Sequence, residues 1–208
     1  MKPREISELE RLIGVARTLN RRAAPRKPLP ALLFFTDPAR TPDSAAVMAR
    51  LPRGSGVVFR AFGAAGALDQ AQRLRALARQ KHLVFLVGAD VGLAAAVKAD
   101  GVHLPERALG RALAIRRRHP AWLITGAAHS PGALAKARRL GLDAAVLSPV
   151  FPSRSPSAGA PLGRTRFEAW TRGADLPVYG LGGISGQTAQ CLRASRAAGL
   201  AAVEGLMP

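Results

Sequence analysis

Acidic residues are scarce in this chain. Asp and Glu total 13 against 31 Lys and Arg, giving a formal net charge of +18. A field of that sign draws in anions: phosphorylated metabolites, nucleic acid or acidic membranes. Aromatic residues are scarce as well, at 5% of the chain. The two densest basic runs, Arg17–Lys27 and Ile115–His119, contain no aromatic on which a base could stack. Nucleic acid is therefore disfavoured as a partner, and the scattered arginines read as a solvated surface. Cys191 is the single cysteine, so no internal disulfide can form. That fits a reducing compartment, with Cys191 itself a small residue on a helix face. No apolar run is long enough for a membrane span. The segment Met1–Leu12 carries acidic residues where a signal peptide needs an apolar stretch. Together these absences predict a cytoplasmic protein with no membrane partner.

What is present is a sizeable core, since 48% of the 208 residues are hydrophobic. Short apolar runs fall at 31–36, 56–62, 82–88, 101–104, 121–126, 143–148, 176–182 and 201–206, with helical patterns between most of them. Continuously apolar strands are buried on both faces, as in a parallel sheet. Repeated strand–helix units with no second composition zone predict an α/β fold, a (β/α)8 TIM barrel rather than a doubly wound sheet. The chain ends at Leu206-Met207-Pro208, directly after the eighth run, which predicts a barrel without a C-terminal eighth helix. Upstream, Ile6, Leu9, Ile13 and Ala16 have helical spacing. The expectation is a basic amphipathic helix and linker over 1–28, covering the wall where helix eight would sit, and a barrel over 29–208.

In such a barrel the chemistry lies on the loops after the strands. Arg60 follows the second run, His103 lies in the fourth, and His129-Ser130 follows the fifth. A long Ser/Pro/Gly/Arg connection, Ser148–Gly163, follows the sixth and offers Ser153, Arg154 and Ser155. Connections of that length without secondary structure are commonly functional. Gly182-Gly183 opens a glycine turn before a helix, a place where backbone N–H groups suit a phosphate. A tight turn that simply needs glycine is the alternative. His129 sits where a general acid/base belongs. His103 reads equally well as a hydrogen-bonded core residue. Glu204 is a carboxylate at the end of an apolar run, either paired with an arginine or a second proton-transfer group. No His, Cys or carboxylate cluster has metal-ligand spacing, so no structural metal is expected.

The segments ADGVHLPE, LITGAAHS, GLDAAVLSPVFPSRS, LPVYGLGGIS and AAGLAAVEGL resemble, in order and spacing, the thiamine phosphate synthase/TenI family. The resemblance spans about Phe85 to Leu206. It implies a (β/α) barrel. The family's synthases join a pyrimidine diphosphate to a thiazole phosphate, expelling pyrophosphate with help from Mg²⁺. Its TenI branch includes thiazole tautomerases, which move a proton on the thiazole phosphate carboxylate without metal. Family members often form oligomers, so a homo-oligomer is expected.

The departures fall on one half of the implied site. Of the Q-L-R-E-K segment, aligned with Val58–Phe62, only Arg60 is kept. The Asn-Asp pair aligns with Gly88-Ala89, with Asp90 adjacent. The second metal aspartate aligns with Ala108, the serine of S-x-H with Ala127, and the lysine of the T-x-T-K loop with Pro156. The thiazole phosphate half is better kept. Ser153-Arg154-Ser155 stands at T-x-T, Gly182-Gly183 at the second phosphate contact, and His129 at the acid/base position. Leu206-Met207 replaces an Ile-Ser pair, keeping N–H groups but no hydroxyl. The resemblance thus implies a TenI-like proton transfer in thiamine biosynthesis. In that reading His129 is catalytic, and Arg60, Ser153, Arg154, Ser155, Gly182, Gly183 and Glu204 are substrate- or phosphate-binding, with no cofactor. A divergent, Mg²⁺-dependent synthase is the alternative, and a non-catalytic phosphate-ligand-binding or regulatory barrel is a third.

Overall fold

The computed structural model describes residues 7–61, 63–155 and 159–207. Ile6, Phe62, Pro156 and Pro208, which entered the sequence argument, lie outside them. Eight parallel strands close into a barrel in chain order. They are β1 (Leu32–Phe35), β2 (Gly56–Phe59), β3 (Val84–Gly88), β4 (Gly101–Leu104), β5 (Leu123–Ala128), β6 (Ala144–Leu147), β7 (Val178–Gly180) and β8 (Gly199–Ala202). Helices α2 (Ser44–Arg50), α3 (Ala67–Gln80), α4 (Val91–Ala96), α5 (Ala112–Arg118), α6 (Pro131–Arg139), α7 (Gly163–Arg172) and α8 (Gly186–Gln190) lie between them. No helix among the described residues is long and apolar enough to cross a membrane.

The strands are apolar throughout because each faces two cores. On β1, Leu33 and Phe35 point into the barrel, where they meet Val58, Leu86, Val146 and Ala201. Leu32 and Phe34 point outward against the helices. Alternation is hidden in the sequence because both faces are buried. Tyr179 crosses the floor and donates its hydroxyl to the Pro30 carbonyl at 2.5 Å.

Helix α1 (Glu8–Ala23) opens with a capping box, Ser7 and Glu10 each satisfying the other's backbone N–H. Its buried stripe, Leu12, Val15, Ala16 and Leu19, joins the outer core and packs against α8, β1 and β8. The expected covering helix is therefore in place on that wall. Gly186 permits the approach, since a Cβ there would collide with the Glu8 carbonyl. Asn20 locks the far end by donating its side-chain amide to the carbonyls of Ala198 (2.8 Å) and Leu29 (3.3 Å). Asn20→Ala leaves both acceptors without that donor. It is expected to cost about 1–3 kcal/mol, read from the urea midpoint of unfolding.

Two expectations need correction. The eighth strand is Gly199–Ala202, not 201–206, and Glu204 starts a 3-10 turn, Glu204–Leu206, instead of ending a strand. The reason is Gly199: a side chain there would run into the Ala31 carbonyl, so the residue that looks like a loop glycine is where β8 passes close beside β1. The helical pattern between the fourth and fifth apolar runs is also not one helix. A 3-10 segment, Glu106–Arg111, precedes α5, and that segment carries two of the arginines discussed below.

Candidate functional site

The strands' C-terminal ends surround a cavity of about 1150 Å³. Every site residue picked from the sequence lines it: Arg60, His129, Ser153, Arg154, Ser155, Gly182, Gly183 and Glu204. The topology alone explains that convergence, because all of them follow strands at the same end of the barrel.

Arg60 follows β2 and is fixed rather than mobile. Its Nε donates to the Thr36 carbonyl (2.7 Å), its terminal nitrogen reaches Asp37 (3.2 Å), and its guanidinium stands 5.6 Å from the Phe35 ring centre. Burial lowers its pKa to about 10, against the pull of Asp37, so it stays charged at neutral pH. Asp37 also accepts two hydrogen bonds from Arg40 on Oδ2, from Nε at 3.0 Å and a terminal nitrogen at 2.7 Å. Burial would raise the Asp37 pKa, but the hydrogen bonds from Arg40 and the two guanidiniums hold it below the usual carboxylate value. Arg40 reaches onward to Glu204 at 3.9 Å, and Glu204 pairs with Arg154 at 2.8 Å. Charges thus alternate around the rim: Arg60, Asp37, Arg40, Glu204, Arg154. Glu204 is a pairing carboxylate here. Its carboxylate is held between two guanidiniums, those of Arg40 and Arg154. Asp37 and Arg40 were missed in the sequence, although they directly follow the first strand, where barrel chemistry is sought.

Across the mouth, the turn after β7 faces the loop after β6. Gly182 (φ 99°) and Gly183 (φ 62°) both sit in the left-handed region. A Cβ on Gly182 would come 2.8 Å from Pro149, and one on Gly183 would strike the Pro152 carbonyl. The backbones of the two loops are therefore in direct contact, pinned further by Phe151 N–H donating to the Gly182 carbonyl at 3.0 Å. The glycine turn itself can meet a phosphate, but the start of α8 cannot. Gln187 N–H is taken by Glu8 of α1 (3.0 Å) and Thr188 N–H by Ser185 Oγ (3.2 Å). Among the described residues, the N–H groups of Gly182, Gly183 and Ile184, which line the cavity, donate to no protein acceptor. Ser153 Oγ accepts from Ser155 N–H at 3.3 Å, which shapes the opposing turn. Arg154 is 82% exposed beyond its pair with Glu204. Of the Leu206-Met207 pair, Met207 N–H donates to the Glu204 carbonyl at 2.9 Å, and the Leu206 side chain is buried in the core.

His129 is exposed on the wall between these regions. Its Nδ1 lies 2.8 Å from the Ser148 carbonyl, which can only accept, so Nδ1 carries a proton and, in the neutral ring, Nε2 holds the lone pair. Its backbone N–H is held by Glu106 at 2.8 Å. Ser130 beside it is used to cap α6. His103 is different. It is buried, with Nδ1 3.0 Å from Thr125 Oγ1 and its ring edge-on to Phe35. Burial, reinforced by the charge on Arg60, lowers its pKa to about 3. It is a neutral polar group on the cavity floor.

A family model described as Thiamine monophosphate synthase matches residues 32–206. The chain belongs to the thiamine monophosphate synthase family. Among curated members, the thiamine-phosphate synthase of Laribacter hongkongensis is 34% identical over 140 residues, 67% of this chain and 66% of that protein. A bifunctional ThiM/ThiE protein of Symbiobacterium thermophilum is 36% identical over 141 residues, which cover 29% of its length. The chain thus spans two thirds or less of these relatives. The thiamine phosphate pyrophosphorylase of Pyrococcus furiosus superposes with a TM-score of 0.73 over 86% of this chain and 89% of that one, at 24% identity. At that identity the likeness speaks for the fold.

Family membership raises the question of Mg²⁺, and the residues present do not fit it. Among the described residues two carboxylates line the cavity, Asp90 after β3 and Glu204 after β8, three strands apart around the barrel. Glu204 is committed to two arginines. Asp90 caps α4, accepting from Leu93 N–H at 2.9 Å. No cluster of three metal-ligating side chains exists among the described residues. On the Asp90 side the lining also carries Arg60, Arg107 and Arg111, and a dication beside three guanidiniums and one carboxylate is repelled.

Proposed function

We propose that this barrel binds a thiazole phosphate by its phosphate group at the β6–β7 side of the mouth and couples it to a pyrimidine diphosphate, releasing pyrophosphate. The observation that carries the reading is the size of the cavity. About 1150 Å³ exceeds the roughly 300–1,000 Å³ that suits one drug-sized ligand. A tautomerase needs to hold one small substrate; a coupling reaction needs room for two. The names of the relatives favour coupling over the TenI-like proton transfer that the sequence motifs first suggest. The phosphate would rest between the Gly183-Ile184 backbone and the Ser153–Ser155 turn, with Arg154 released from Glu204 to meet it.

One observation supports the second reading. His129 offers a lone pair on Nε2 at the cavity wall, with the tautomer set by Ser148, as proton transfer on a bound thiazole requires. The two reactions make different demands on it. In coupling, the thiazole nitrogen supplies the electron pair and no proton need move. His129→Ala is then expected to lower thiamine phosphate formation by less than about tenfold, whereas a tautomerase would lose about 10²–10⁴-fold. The direct assay incubates the protein with both substrates and counts thiamine phosphate against pyrophosphate. Equimolar products support coupling. Absence of both, with proton exchange on the thiazole carboxylate instead, overturns it in favour of the second reading.

A further inference from the structure

Three neighbouring strands deliver one cluster to the mouth of the barrel. β7 brings the N–H groups of Gly182, Gly183 and Ile184, which line the cavity and donate to no protein acceptor among the described residues. The loop after β6 brings Arg154, and the turn after β8 brings Glu204. The β8 turn lies directly on the glycine turn, since a Cβ at Gly205 would meet the Ile184 carbonyl. Glu204 Oε1 pairs with Arg154 at 2.8 Å, and Oε2 lies 3.9 Å from Arg40. Arg40 is itself anchored by Asp37. Arg154 is free to turn, because its side chain is 82% exposed where that of Glu204 is 26%. A carboxylate thus stands inside a site otherwise built for an anion.

An ionised carboxylate only accepts hydrogen bonds. When Arg154 turns to a bound phosphate, Glu204 Oε1 gives up its donor while Oε2 stays beside Arg40. Two anions then share the mouth of a cavity that screens them less well than bulk water, and they repel. A proton between them reverses the sign: a P–O–H group donates to the freed carboxylate oxygen, a charge-assisted hydrogen bond. We propose that Glu204 is a specificity-determining residue of the mouth: it accepts a hydrogen bond from a protonated phosphate oxygen and excludes anions that carry no proton. The proposal rests on the placement of the ligand phosphate beside the glycine turn. A phosphate monoester takes up its second proton at about pH 6, close enough to neutrality for this contact to supply the difference. A sulfate ester of the same shape has no such proton and meets only the repulsion. The ligand class is therefore a phosphate monoester, with its sulfate counterpart rejected.

The probes are inorganic phosphate and inorganic sulfate, each titrated calorimetrically into the full chain at pH 7 and about 0.15 M salt, which screens the general pull of a basic surface. Phosphate keeps a proton at that pH and sulfate does not. The parent is expected to bind phosphate about tenfold or more tightly than sulfate. Glu204→Gln keeps the shape and offers an amide donor to either anion. Sulfate binding should then tighten about tenfold, and the preference should shrink to less than about threefold. Equal affinities in the parent overturn the proposal without any variant. A preference unchanged by Glu204→Gln overturns it too, as does an equal weakening of both anions, which would make Glu204 a support for Arg154 and nothing more. Thermal unfolding checks that Glu204→Gln folds. Arg154→Ala tests the placement separately and should weaken phosphate by about tenfold. Phosphate affinity that ignores this change, or no phosphate binding at all, means that the placement fails and the proposal with it. The coupling reaction fails in a different way: selectivity that depends on Glu204, with no thiamine phosphate formed from both substrates, keeps the site and rejects the reaction.

Discussion

Replacing Asp143 with alanine is expected to destabilise the barrel by about 3 kcal/mol, the low end of what breaking a buried ion pair costs. Asp143 precedes β6 and its side chain is only 6% exposed. It accepts from the Ile124 backbone N–H (2.8 Å), from Arg116 (2.5 Å) and from Lys27 (2.6 Å). One carboxylate thus ties β5, α5 and the segment leading into β1 together at the floor of the barrel. Its removal strands a backbone donor and a half-buried guanidinium. Lys27 is 61% exposed and water replaces its partner at little cost, which keeps the expected loss at the low end. Asp143→Asn retains an acceptor for Ile124 and should fall between alanine and the parent. Both are read from urea unfolding at pH 7.

The pH dependence gives a second check. Burial works to raise the Asp143 pKa, but the Ile124 N–H, Lys27 and Arg116 together hold it below the ordinary value. A carboxylate depressed in the folded state contributes stability that is fully present above its unfolded pKa, about 3.9. That contribution fades as pH falls through the lower folded value. The gap in stability between the parent and Asp143→Asn should therefore be constant from pH 7 to about 5 and narrow below about 4. A gap that widened on acidification would show that the pairing does not depress Asp143. A separate acid effect comes from His103, whose folded pKa is about 3. The unfolded chain binds a proton near pH 6.5 that the folded one refuses, so stability begins to fall below that pH in both proteins and cancels in the comparison.

Gly183→Ala is expected to cost about 2–5 kcal/mol and to abolish phosphate binding at the proposed site. Roughly 1–2 kcal/mol comes from placing a side chain at φ 62°. About 1–3 kcal/mol comes from forcing a methyl against the Pro152 carbonyl and to 2.8 Å from Phe151 Cβ. The β6 loop must move to relieve that contact, carrying Ser153, Arg154 and Ser155 away from the glycine turn. Gly141→Ala is the control. Its φ of 69° is as strained, yet nothing lies within 4 Å of the new methyl, so only the backbone cost of about 1–2 kcal/mol should be seen. Unfolding measures the stability of each, and titration with inorganic phosphate measures the site. Gly183→Ala binding phosphate as well as Gly141→Ala would place the anion elsewhere.

Much of this was written locally. Strand-length apolar runs alternating with helical periodicity required a parallel sheet covered on both sides, and a run such as Leu32–Phe35 could only be a strand buried on both faces. Once the barrel was inferred, chain connectivity put Arg60, His129, Ser153–Ser155 and Gly182-Gly183 at one end, since every loop leaving a parallel strand opens on the same side. The glycine turn was legible too, because only glycine occupies positive φ cheaply when the neighbouring backbone is this close.

The pairing of charges was decided by tertiary structure. With 31 basic residues and 13 acidic ones, composition says that most arginines lack a partner but not which. Asp143 meets Lys27 across 116 positions of chain and Glu8 reaches Gln187 across 179, and no local pattern encodes either contact. For the same reason the start of α8 looked open to a phosphate while α1 had already filled it. The sequence by itself determined the fold and the end of the barrel that carries the chemistry, because periodicity and glycine placement act over a few residues. Closure of the barrel decided which guanidiniums are paired and which, at Arg107 and Arg111, line the cavity with no ion pair among the described residues, because Coulomb attraction depends on distance in space and is indifferent to distance along the chain.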